Sequence, residues 1–494
     1  MKTILSLGLL FLLSLFKVTA QPVNGIIYQD TLGIKVVKVW GTHQQRGFAL
    51  GSLTGLDITD MIVNYIKPQF GSAYTIARTK VIQEIDISIP QIYKDEAQGV
   101  IDGMIASGTN LNNLDQTDIL IGNCMLDLGN LLSKSFEQGC STLMSWGDAT
   151  TGTDLDGKSV ASRHMDWTYS SILINHNVIV VHFPSEPNEN KWLLAGYDGM
   201  ISALSGLNQD FGAFQQVLAD FYGAGLHNKQ YVPVWMAMRK ALESSDYNND
   251  GARNVQDLHT VLEESTNGFA DGFIITSLGR TSTVDSLVAM VAELTPTNPV
   301  RTYRYNNYDD KIPGDNLYAS NYQIARNNAH NYDTRYNAIV ANLGDGTLLS
   351  LDSNWTIMRD HSHQSNNMQF MQFSPEMDFF RMSVWRNGQQ AYKNEPMFWN
   401  LNDLFGDPTV SIKEDAAKSR LRIYPNPANG LLKISGILPG EYHFEVYDPS
   451  ARLLISMNSS GIEAGFDISS LLPGVYLLRL TNKDVTYTER FIKK

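Results

Sequence analysis

Cys140 is the residue of this sequence whose neighbours point most directly to chemistry. It stands in "FEQGCSTLMSW", between Gly139 and Ser141, and Cys124 is the only other cysteine among 494 residues. A cysteine attacks a carbonyl as its thiolate, and because a free thiol has a pKa of about 8.5 it needs a base close by. Its own α-amino group is such a base, since terminal-amine variants of nucleophilic catalysis are known. We therefore predict self-cleavage between Gly139 and Cys140, with glycine tolerating a strained backbone there.

Two charged residues of the later segment "SRHMDW" fit the same chemistry. Arg163 and Asp166 lie on a strand-like segment three residues apart. Beside a buried thiol the cation favours the thiolate, and the carboxylate can hold an amine or ammonium in position. The alternative is an ordinary solvent-exposed Arg–Asp pair.

A second group of polar residues has the spacing of a calcium loop. The stretch "DYNNDGARNVQD" carries oxygen ligands in the pattern D-x-N-x-D-G, with helical segments on both sides. Carboxylate, amide and backbone oxygens on a tight turn are what Ca²⁺ prefers. The predicted ligands of this structural Ca²⁺ site are Asp246, Asn248, Asp250, the backbone carbonyl of Ala252, and Asp257. A polar turn between two helices is the alternative.

The elements around these residues predict a mixed fold. Residues 75–133 have mostly helical spacing, and a helical pair is predicted at 233–266. Short strand-like runs follow Cys140, among them "HNVIVVHFP", "GFIITSL", "NAIVANL" and "FFRMSVW". A sheet-rich core with layered helices indicates an α+β sandwich.

Composition and the first residues indicate an exported protein. The net charge is −13 and only 18% of the residues are charged, so a nucleic-acid partner is not expected. Lys2, the apolar run "ILSLGLLFLLSLF" and "VTA" before Gln21 predict a signal peptide at residues 1–20. No later segment reaches about 18 apolar residues, so the mature chain is predicted to have no transmembrane segment.

The last part of the chain reads as a separate small all-β sandwich. After a predicted linker at 407–420, strands alternate with turns such as "NPANG" and "DPS". With "YPNPANG", "GVYLLRL" and the basic end Lys493–Lys494, residues 421–494 resemble the carboxy-terminal sorting domain of the type IX secretion system. The resemblance implies that the type IX machinery is a partner. It also implies export by the Sec route and then by type IX secretion, to the outside or to the cell surface.

Residues 38–405 resemble the autoproteolytic acyltransferase/hydrolase family of N-terminal-nucleophile enzymes. The resemblance rests on "WGTHQQRGFALG", "YKDEAQGVIDGM", "GCST", "SRHMDW", "SGLNQDFGAF" and "ASNYQIARNNAHNYDTRYNAI", in family order. It implies a four-layer αββα sandwich, with a propeptide or α chain at 21–139 and the catalytic domain at 140–406. It also implies amide hydrolysis or acyl transfer on a small acylated substrate, with no cofactor for catalysis.

The resemblance assigns roles to six residues. Cys140 matches the nucleophile, and Arg163 and Asp166 match an Arg-x-x-Asp pair that flanks it. Asn208 and Asn321 match donors that face the oxyanion, and Arg335 matches an arginine that orders the site. His164 and Tyr322 depart from the family pattern, in which Asn and His are usual, and these departures concern the choice of substrate.

Two other functions stay open from the sequence. Phospholipase B-like proteins share parts of this layout, so a lipid or ester substrate is possible. The contrasting class is a non-enzymatic surface protein in which Cys124 and Cys140 form a disulfide.

Overall fold

The computed structural model describes twelve stretches of the chain. They are residues 21–133, 138–218, 229–281, 287–306, 308–326, 332–408, 422–424, 428–435, 442–448, 452–459, 466–481 and 486–494. The predicted signal peptide at 1–20 and positions 409–420 of the predicted linker lie outside the described residues.

Fifteen strands build the larger part of the protein. In chain order they are β1 Gly25–Thr31, β2 Ile34–Gly41, β3 Gln138–Ser145, β4 Val160–Trp167, β5 Asn177–Pro184, β6 Trp192–Tyr197, β7 Ser205–Leu207, β8 Phe211–Val217, β9 Phe273–Gly279, β10 Ala289–Leu294, β11 Arg301–Tyr305, β12 Asn316–Ala319, β13 Asn367–Ser374, β14 Phe379–Val384 and β15 Met397–Asn400. One sheet has the order β1-β2-β5-β6-β7-β8-β9-β10-β11, and the other has the order β12-β3-β4-β13-β14-β15. Neighbouring strands are antiparallel, except that β2 and β5 run parallel.

Twelve α-helices accompany these sheets. They are α1 His43–Met61, α2 Lys67–Phe70, α3 Tyr74–Gln83, α4 Gln91–Ala106, α5 Gln116–Asn123, α6 Met125–Leu131, α7 Ser171–Asn175, α8 Val234–Glu243, α9 Val255–Glu264, α10 Thr334–Asn342, α11 Leu351–His361 and α12 Leu401–Leu404. The predicted helical pair at 233–266 is therefore confirmed as α8 and α9. Asn254 caps α9 through a capping box with Asp257, which explains where that helix begins.

The layers follow from which faces bury apolar side chains. Residues of both sheets, such as Val36, Val181, Met144 and Phe373, share one core between the sheets. The outer face of the nine-stranded sheet packs with the helices of the amino-terminal region and with α8 and α9. The outer face of the six-stranded sheet packs with α10 and α11. The order helix, sheet, sheet, helix confirms the predicted α+β, four-layer αββα architecture.

The segment before Cys140 belongs to this same sandwich. β1 and β2 are the first two strands of the nine-stranded sheet, and β2 pairs with β5, which follows Cys140. Helices α1 and α4 touch along glycines, because a side chain at Gly47 or Gly51 would overlap the backbone of α4. On α4, Gly99 and Gly103 allow the same close approach, because a Cβ at either position would overlap the backbone of α1. The predicted boundary at 139/140 thus divides the chain within one fold.

One predicted strand is wrong. The run "NAIVANL" was expected to be a strand because of its β-branched residues, but it lies in α10. Asp333 caps this helix by accepting from the Tyr336 N–H, and Tyr336 and Ile339 are buried on one face. The cap and the tertiary packing outweigh the weak β-propensity of two adjacent β-branched residues.

The carboxy-terminal part forms its own small β-structure. Its strands are β16 Arg422–Tyr424, β17 Leu431–Ser435, β18 Tyr442–Tyr447, β19 Leu453–Ser459, β20 Phe466–Asp467, β21 Gly474–Thr481 and β22 Thr486–Lys493. They make a sheet β16-β17-β20 and a sheet β19-β18-β21-β22. Residues such as Leu432, Phe444, Leu478 and Phe491 fill a separate core. This confirms the predicted small all-β sandwich.

Candidate active site

Cys140 lies in the interior of the six-stranded sheet. It is the third residue of β3, which is hydrogen-bonded to β12 on one side and to β4 on the other. It is fully buried, and its partner across the sheet is Met165 of β4. Residues directly opposite in an antiparallel pair point to the same face. The thiol therefore shares a face with Met165.

The backbone of Cys140 is held by two predicted site residues. Its N–H donates to Asn321 Oδ1 at 3.0 Å, and its carbonyl accepts from Arg335 Nη1 at 3.0 Å. Arg335 also donates from Nη2 to the same Asn321 oxygen at 2.7 Å. The Asn321 amide nitrogen donates to the Val217 carbonyl at 2.9 Å, which fixes the orientation of the amide. Asn321 thus presents an acceptor to the Cys140 nitrogen, and its own donor is engaged elsewhere.

Arg163 brings a positive charge next to the thiol. Its Nη2 lies 3.7 Å from Cys140 Sγ and donates to the Gln215 carbonyl at 2.9 Å. Arg163 is fully buried, and among the described residues its Nε and Nη1 have no hydrogen-bond partner. Because a buried cation with unused donors favours a nearby anion, Arg163 favours the thiolate form of Cys140.

Burial nevertheless keeps the thiol protonated at neutral pH in the uncut chain. Burial raises the pKa of Cys140 to about 11, although the charge of Arg163 and a hydrogen bond from the Asp166 backbone act in the opposite direction. The thiol therefore needs a base close to Sγ before it can attack a carbonyl.

Asp166 lies beside the predicted cleavage point. It pairs with Gly139 across β3 and β4 and is almost fully buried. Its Oδ1 accepts from Asn367 Nδ2 at 2.8 Å, and its Oδ2 accepts from the Gln364 N–H at 3.2 Å. Burial raises the pKa of the Asp166 carboxyl to about 6, against the effect of these hydrogen bonds and of the nearby arginines.

The structure does not support the predicted reason for glycine at position 139. Gly139 is not among the residues with a left-handed backbone, so its conformation does not require glycine. A Cβ at this position would overlap the side-chain amide of Gln364, which packs over Gly139. Because Gln364 is exposed and its amide is the flexible end of the side chain, it can move aside, so neither the backbone φ nor this contact requires glycine at position 139.

Asn208 stands apart from this group. Its Oδ1 accepts from the N–H groups of Asp210 and Phe211, both at 2.8 Å, and its Nδ2 donates to the Leu242 carbonyl at 3.1 Å. These are the hydrogen bonds of an asparagine that forms a turn, here between β7 and β8. The structure thus brings Cys140, Arg163, Asn321 and Arg335 into direct contact and places Asp166 on the adjacent strand. All the side-chain hydrogen bonds described for Asn208 are made to residues outside this group.

An apolar pocket adjoins the site at Met165, and no feature of the sequence predicted it. Met165 lines the pocket, and the Tyr197 hydroxyl, also on its wall, lies 3.3 Å from Met165 Sδ. Asp198 is the acidic side chain of the wall: its Oδ2 faces His176 at 3.3 Å and Lys35 at 3.5 Å, whereas its Oδ1 has no hydrogen-bond partner among the described residues. The other lining side chains are mostly aliphatic or aromatic, namely Met61, Ile62, Tyr65, Ile66, Ile119, Met125, Trp167, Leu173, Met200, Leu204 and Trp235.

Segments on both sides of the predicted cut form this pocket. Helices α1, α5 and α6 contribute Met61, Ile119 and Met125, whereas Met165 and Trp235 come from later strands and helices. Only the folded chain brings them together, so no local signal in the sequence could have revealed the pocket.

A buried network of charges joins the same two segments. His43 of α1 lies 2.6 Å from Glu96 of α4 and 2.9 Å from Glu189, and Arg239 of α8 pairs with Glu96 at 2.6 Å and with Glu243 at 2.8 Å. Burial alone lowers the pKa of His43, but hydrogen bonds to Glu189 and Glu96 raise it to about 9. His43 is therefore a cation at neutral pH. The polar residues within helical stretches were the only sign of this network in the sequence.

The predicted calcium loop lies between α8 and α9, as expected. Its side-chain oxygens accept backbone hydrogen bonds inside the loop, for example Asp246 Oδ2 from the Gly251 N–H at 2.9 Å and Asp250 Oδ1 from the Ala252 N–H at 2.9 Å. Gly251 has a φ of +92°, which suits the sharp turn. Burial raises the pKa of the Asp257 carboxyl, and the charge of Asp246 adds to this. The donor set of carboxylate and amide oxygens fits Ca²⁺.

We expect Ca²⁺ to stabilise the protein if this loop binds it. After chelation, adding Ca²⁺ to about 100 times its Kd should add about 2.7 kcal/mol of stability and raise the Tm. The variant Asp250→Ala should lose this response while keeping its Tm in chelator. A Tm that Ca²⁺ leaves unchanged in the unmutated protein would favour the polar-turn alternative.

Two further expectations concern the cysteines and the membrane. Cys124 and Cys140 are both buried free thiols in the structure, which disagrees with the disulfide alternative. Within the stretches that the structure describes, none of the helices combines the length and the apolar character needed to cross a bilayer.

Comparison with known proteins defines the carboxy-terminal part. Residues 422–494 match the family model described as "Secretion system C-terminal sorting domain". This part of the chain is thus a sorting domain, which confirms the predicted export by type IX secretion to the cell surface or beyond it.

The remaining comparisons are more distant. "Protein dcd1B" of Dictyostelium discoideum is 19% identical over 237 residues, which cover 45% of this chain and 46% of that protein. The chain thus matches about half the length of this curated relative. A solved structure of a mutant conjugated bile acid hydrolase from Clostridium perfringens is similar with a TM-score of 0.34 and 13% identity, covering 54% of this chain and 94% of that one.

Proposed function

We propose that the protein is an exported cysteine hydrolase of the N-terminal-nucleophile type that acts on amide bonds of N-acyl compounds. The observation that carries the proposal is the buried guanidinium of Arg163, 3.7 Å from a buried thiol whose backbone N–H and carbonyl are held by Asn321 and Arg335. Such an arrangement fixes a nucleophile and favours its charged form.

Self-cleavage is the first proposed step. Cys140 Sγ attacks the Gly139 carbonyl and gives up its proton, the peptide C–N bond breaks, and a thioester forms while the Cys140 nitrogen takes up that proton and becomes an amine. Water then hydrolyses the thioester, which leaves a carboxylate on Gly139 and restores the thiol. Asn321 Oδ1, which accepts the Cys140 N–H at 3.0 Å, holds the nitrogen that becomes the base.

The same atoms then act on the substrate. The amine takes the thiol proton, the thiolate attacks the acyl carbonyl, and the resulting ammonium returns the proton to the leaving nitrogen as the amide C–N bond breaks. Water attacks the thioester and releases a carboxylic acid, or an amine attacks it and the acyl group is transferred. Arg163 stabilises the thiolate before attack, and no metal takes part in these steps.

The pocket indicates an apolar acyl group. It is lined mainly by aliphatic and aromatic side chains, among them Met165, which lies on the same face of the sheet as Cys140. Because residues before Cys140 form part of its wall, we propose that 21–139 stays bound as an α chain after cleavage. An ester-linked lipid, as in the phospholipase B-like alternative, would fit the same apolar pocket and is the second candidate.

Narrowing the pocket at Gly122 tests this proposal. A Cβ at Gly122 on α5 meets only Ile66 at an ordinary 3.8 Å, so Gly122→Leu should extend into the pocket without disturbing the helix. We expect the processed protein to hydrolyse N-dodecanoyl-p-nitroanilide. In Gly122→Leu this rate should fall at least about tenfold, while hydrolysis of the N-butanoyl analogue is kept.

Gly122→Ala is the matched control and should behave like the unmutated protein. Equal losses with both chain lengths would place the acyl group elsewhere. Hydrolysis of p-nitrophenyl dodecanoate without hydrolysis of the anilide would favour the ester-linked lipid.

A further inference from the structure

A β-bulge places Asn367 directly opposite Asp166. In the pairing of β13 with β4, Asn367 pairs with Asp166 and Gln369 pairs with Met165, so Met368 is an extra residue on β13. Bulges of this kind change the direction of a side chain and are frequent next to active sites. Here the bulge allows the Asn367 amide to reach the carboxylate of Asp166.

The orientation of the Asn367 amide is fixed by its other contacts. Its Oδ1 accepts from the Tyr392 N–H at 2.9 Å, and its backbone N–H donates to Gln390 Oε1 at 3.1 Å. The nitrogen Nδ2 must therefore be the atom that faces Asp166 Oδ1 at 2.8 Å. Asn367 is fully buried, so water does not compete for this hydrogen bond.

His164 Nδ1 and the Gln369 backbone carbonyl, both at 3.1 Å, are further acceptors near the same nitrogen. Asn367 Nδ2 lies 3.1 Å from His164 Nδ1, and His164 Nε2 lies 2.9 Å from the Met358 carbonyl. Since Nε2 must donate to that carbonyl, Nδ1 is an acceptor. Burial lowers the pKa of His164 to about 3, so the ring is neutral and places no charge beside Asp166.

We propose that Asn367 is a positioning residue, which keeps the Asp166 carboxylate ionised and oriented beside the Cys140 amine. This inference rests on the proposed function. The N–H of Gln364 holds the other carboxylate oxygen, so a single short segment, residues 364–367, fixes both oxygens of Asp166.

Several groups act on the ionisation of Asp166 from the surrounding elements. Arg163 on its own strand and Arg335 from α10 both favour the carboxylate, as do the hydrogen bonds from Asn367 and Gln364, whereas burial opposes it. The Cys140 thiol on β3 interacts with Asp166 as well. Without the hydrogen bond from Asn367, less of the effect of burial on the pKa of Asp166 is offset. The pKa of this carboxyl should therefore rise.

The test measures how kcat/KM for N-dodecanoyl-p-nitroanilide depends on pH. The sample is the processed protein obtained by expressing the full chain. In Asn367→Leu the part of the acidic limb that reports protonation of Asp166 should move to higher pH by about one to two units, because this carboxylate loses a hydrogen bond. In Asn367→Asp, which has nearly the same size, it should also move to higher pH, because a second carboxyl group faces Asp166.

Gln369→Leu is the matched control, since this buried side chain on β13 donates to Asn177 Oδ1 and the Gly196 carbonyl and not to Asp166. Its acidic limb should stay in place. The inference is overturned if the acidic limb of the pH profile moves in neither Asn367 variant, or if it shifts by the same amount in Gln369→Leu. If the unmutated protein and Cys140→Ala hydrolyse the anilide equally, the proposed function fails instead.

Discussion

Replacing Cys140 by alanine is expected to leave the chain uncut between Gly139 and Cys140 and to abolish hydrolysis of N-acyl anilides. Loss of a nucleophile lowers kcat by about 10⁴-fold or more in enzymes of this kind of mechanism. Among its described residues the structure offers no second thiol on β3, because Cys124, the other free thiol, lies between α5 and α6, and burial raises the pKa of Cys124 well above its usual range. Intact mass and amino-terminal sequencing of the secreted protein measure the cut.

Cys124→Ala is the control for this experiment. Cys124 is as buried as Cys140 but lies between α5 and α6 and not on β3. The Cys124→Ala protein should be slightly less stable, and it should keep both cleavage and activity. A chain that is still cut before position 140 in Cys140→Ala would assign the cleavage to another group.

Arg239→Met is expected to lower the free energy of unfolding by about 3–5 kcal/mol. Arg239 is fully buried and pairs with Glu96 and Glu243, so its loss leaves Glu243 without its cation and Glu96 with the His43 imidazolium alone as a direct partner. Replacing one partner of a buried ion pair is far more destabilising than the pair is stabilising, because the remaining charge stays desolvated. Urea unfolding in the uncut Cys140→Ala background measures the change.

Lys240→Met supplies the matched control on the next residue of α8. Lys240 pairs with Glu264 at 3.2 Å, and both side chains are about half exposed. A surface pair of this kind contributes about 0–1 kcal/mol, so the unfolding midpoint should hardly move. Equal effects of the two substitutions would mean that the buried network does not hold the fold together.

The same network should hold the two chains together after cleavage. Glu96 lies before position 140 and Arg239 lies after it. In the processed protein, Arg239→Met should therefore release the 21–139 chain at a lower urea concentration than Lys240→Met does, as size-exclusion chromatography would show.

Local features of the sequence predicted the elements well. The helical pair α8 and α9, the strand that holds Arg163 and Asp166, and the carboxy-terminal β-structure all follow from periodicity, caps and turns within a few residues. The run "NAIVANL" was misassigned because two β-branched residues give a weak signal, and the cap at Asp333 together with burial of Tyr336 and Ile339 decides for a helix. The contact between the Gln364 side chain and Gly139 likewise arises only in the fold, since the two residues are far apart in the chain.

By itself, the sequence determined the chemical groups: one cysteine after a glycine, an arginine and an aspartate on one strand, and a sorting domain at the end. Only the tertiary structure decided which of them meet. Asn321 reaches the Cys140 nitrogen across 181 residues, and Arg239 reaches Glu96 across 143. The physical reason is that residue type and local spacing are encoded over a few positions. Burial, the apolar pocket and the hydrogen bond of Asn367 to Asp166 arise when distant strands and helices pack together.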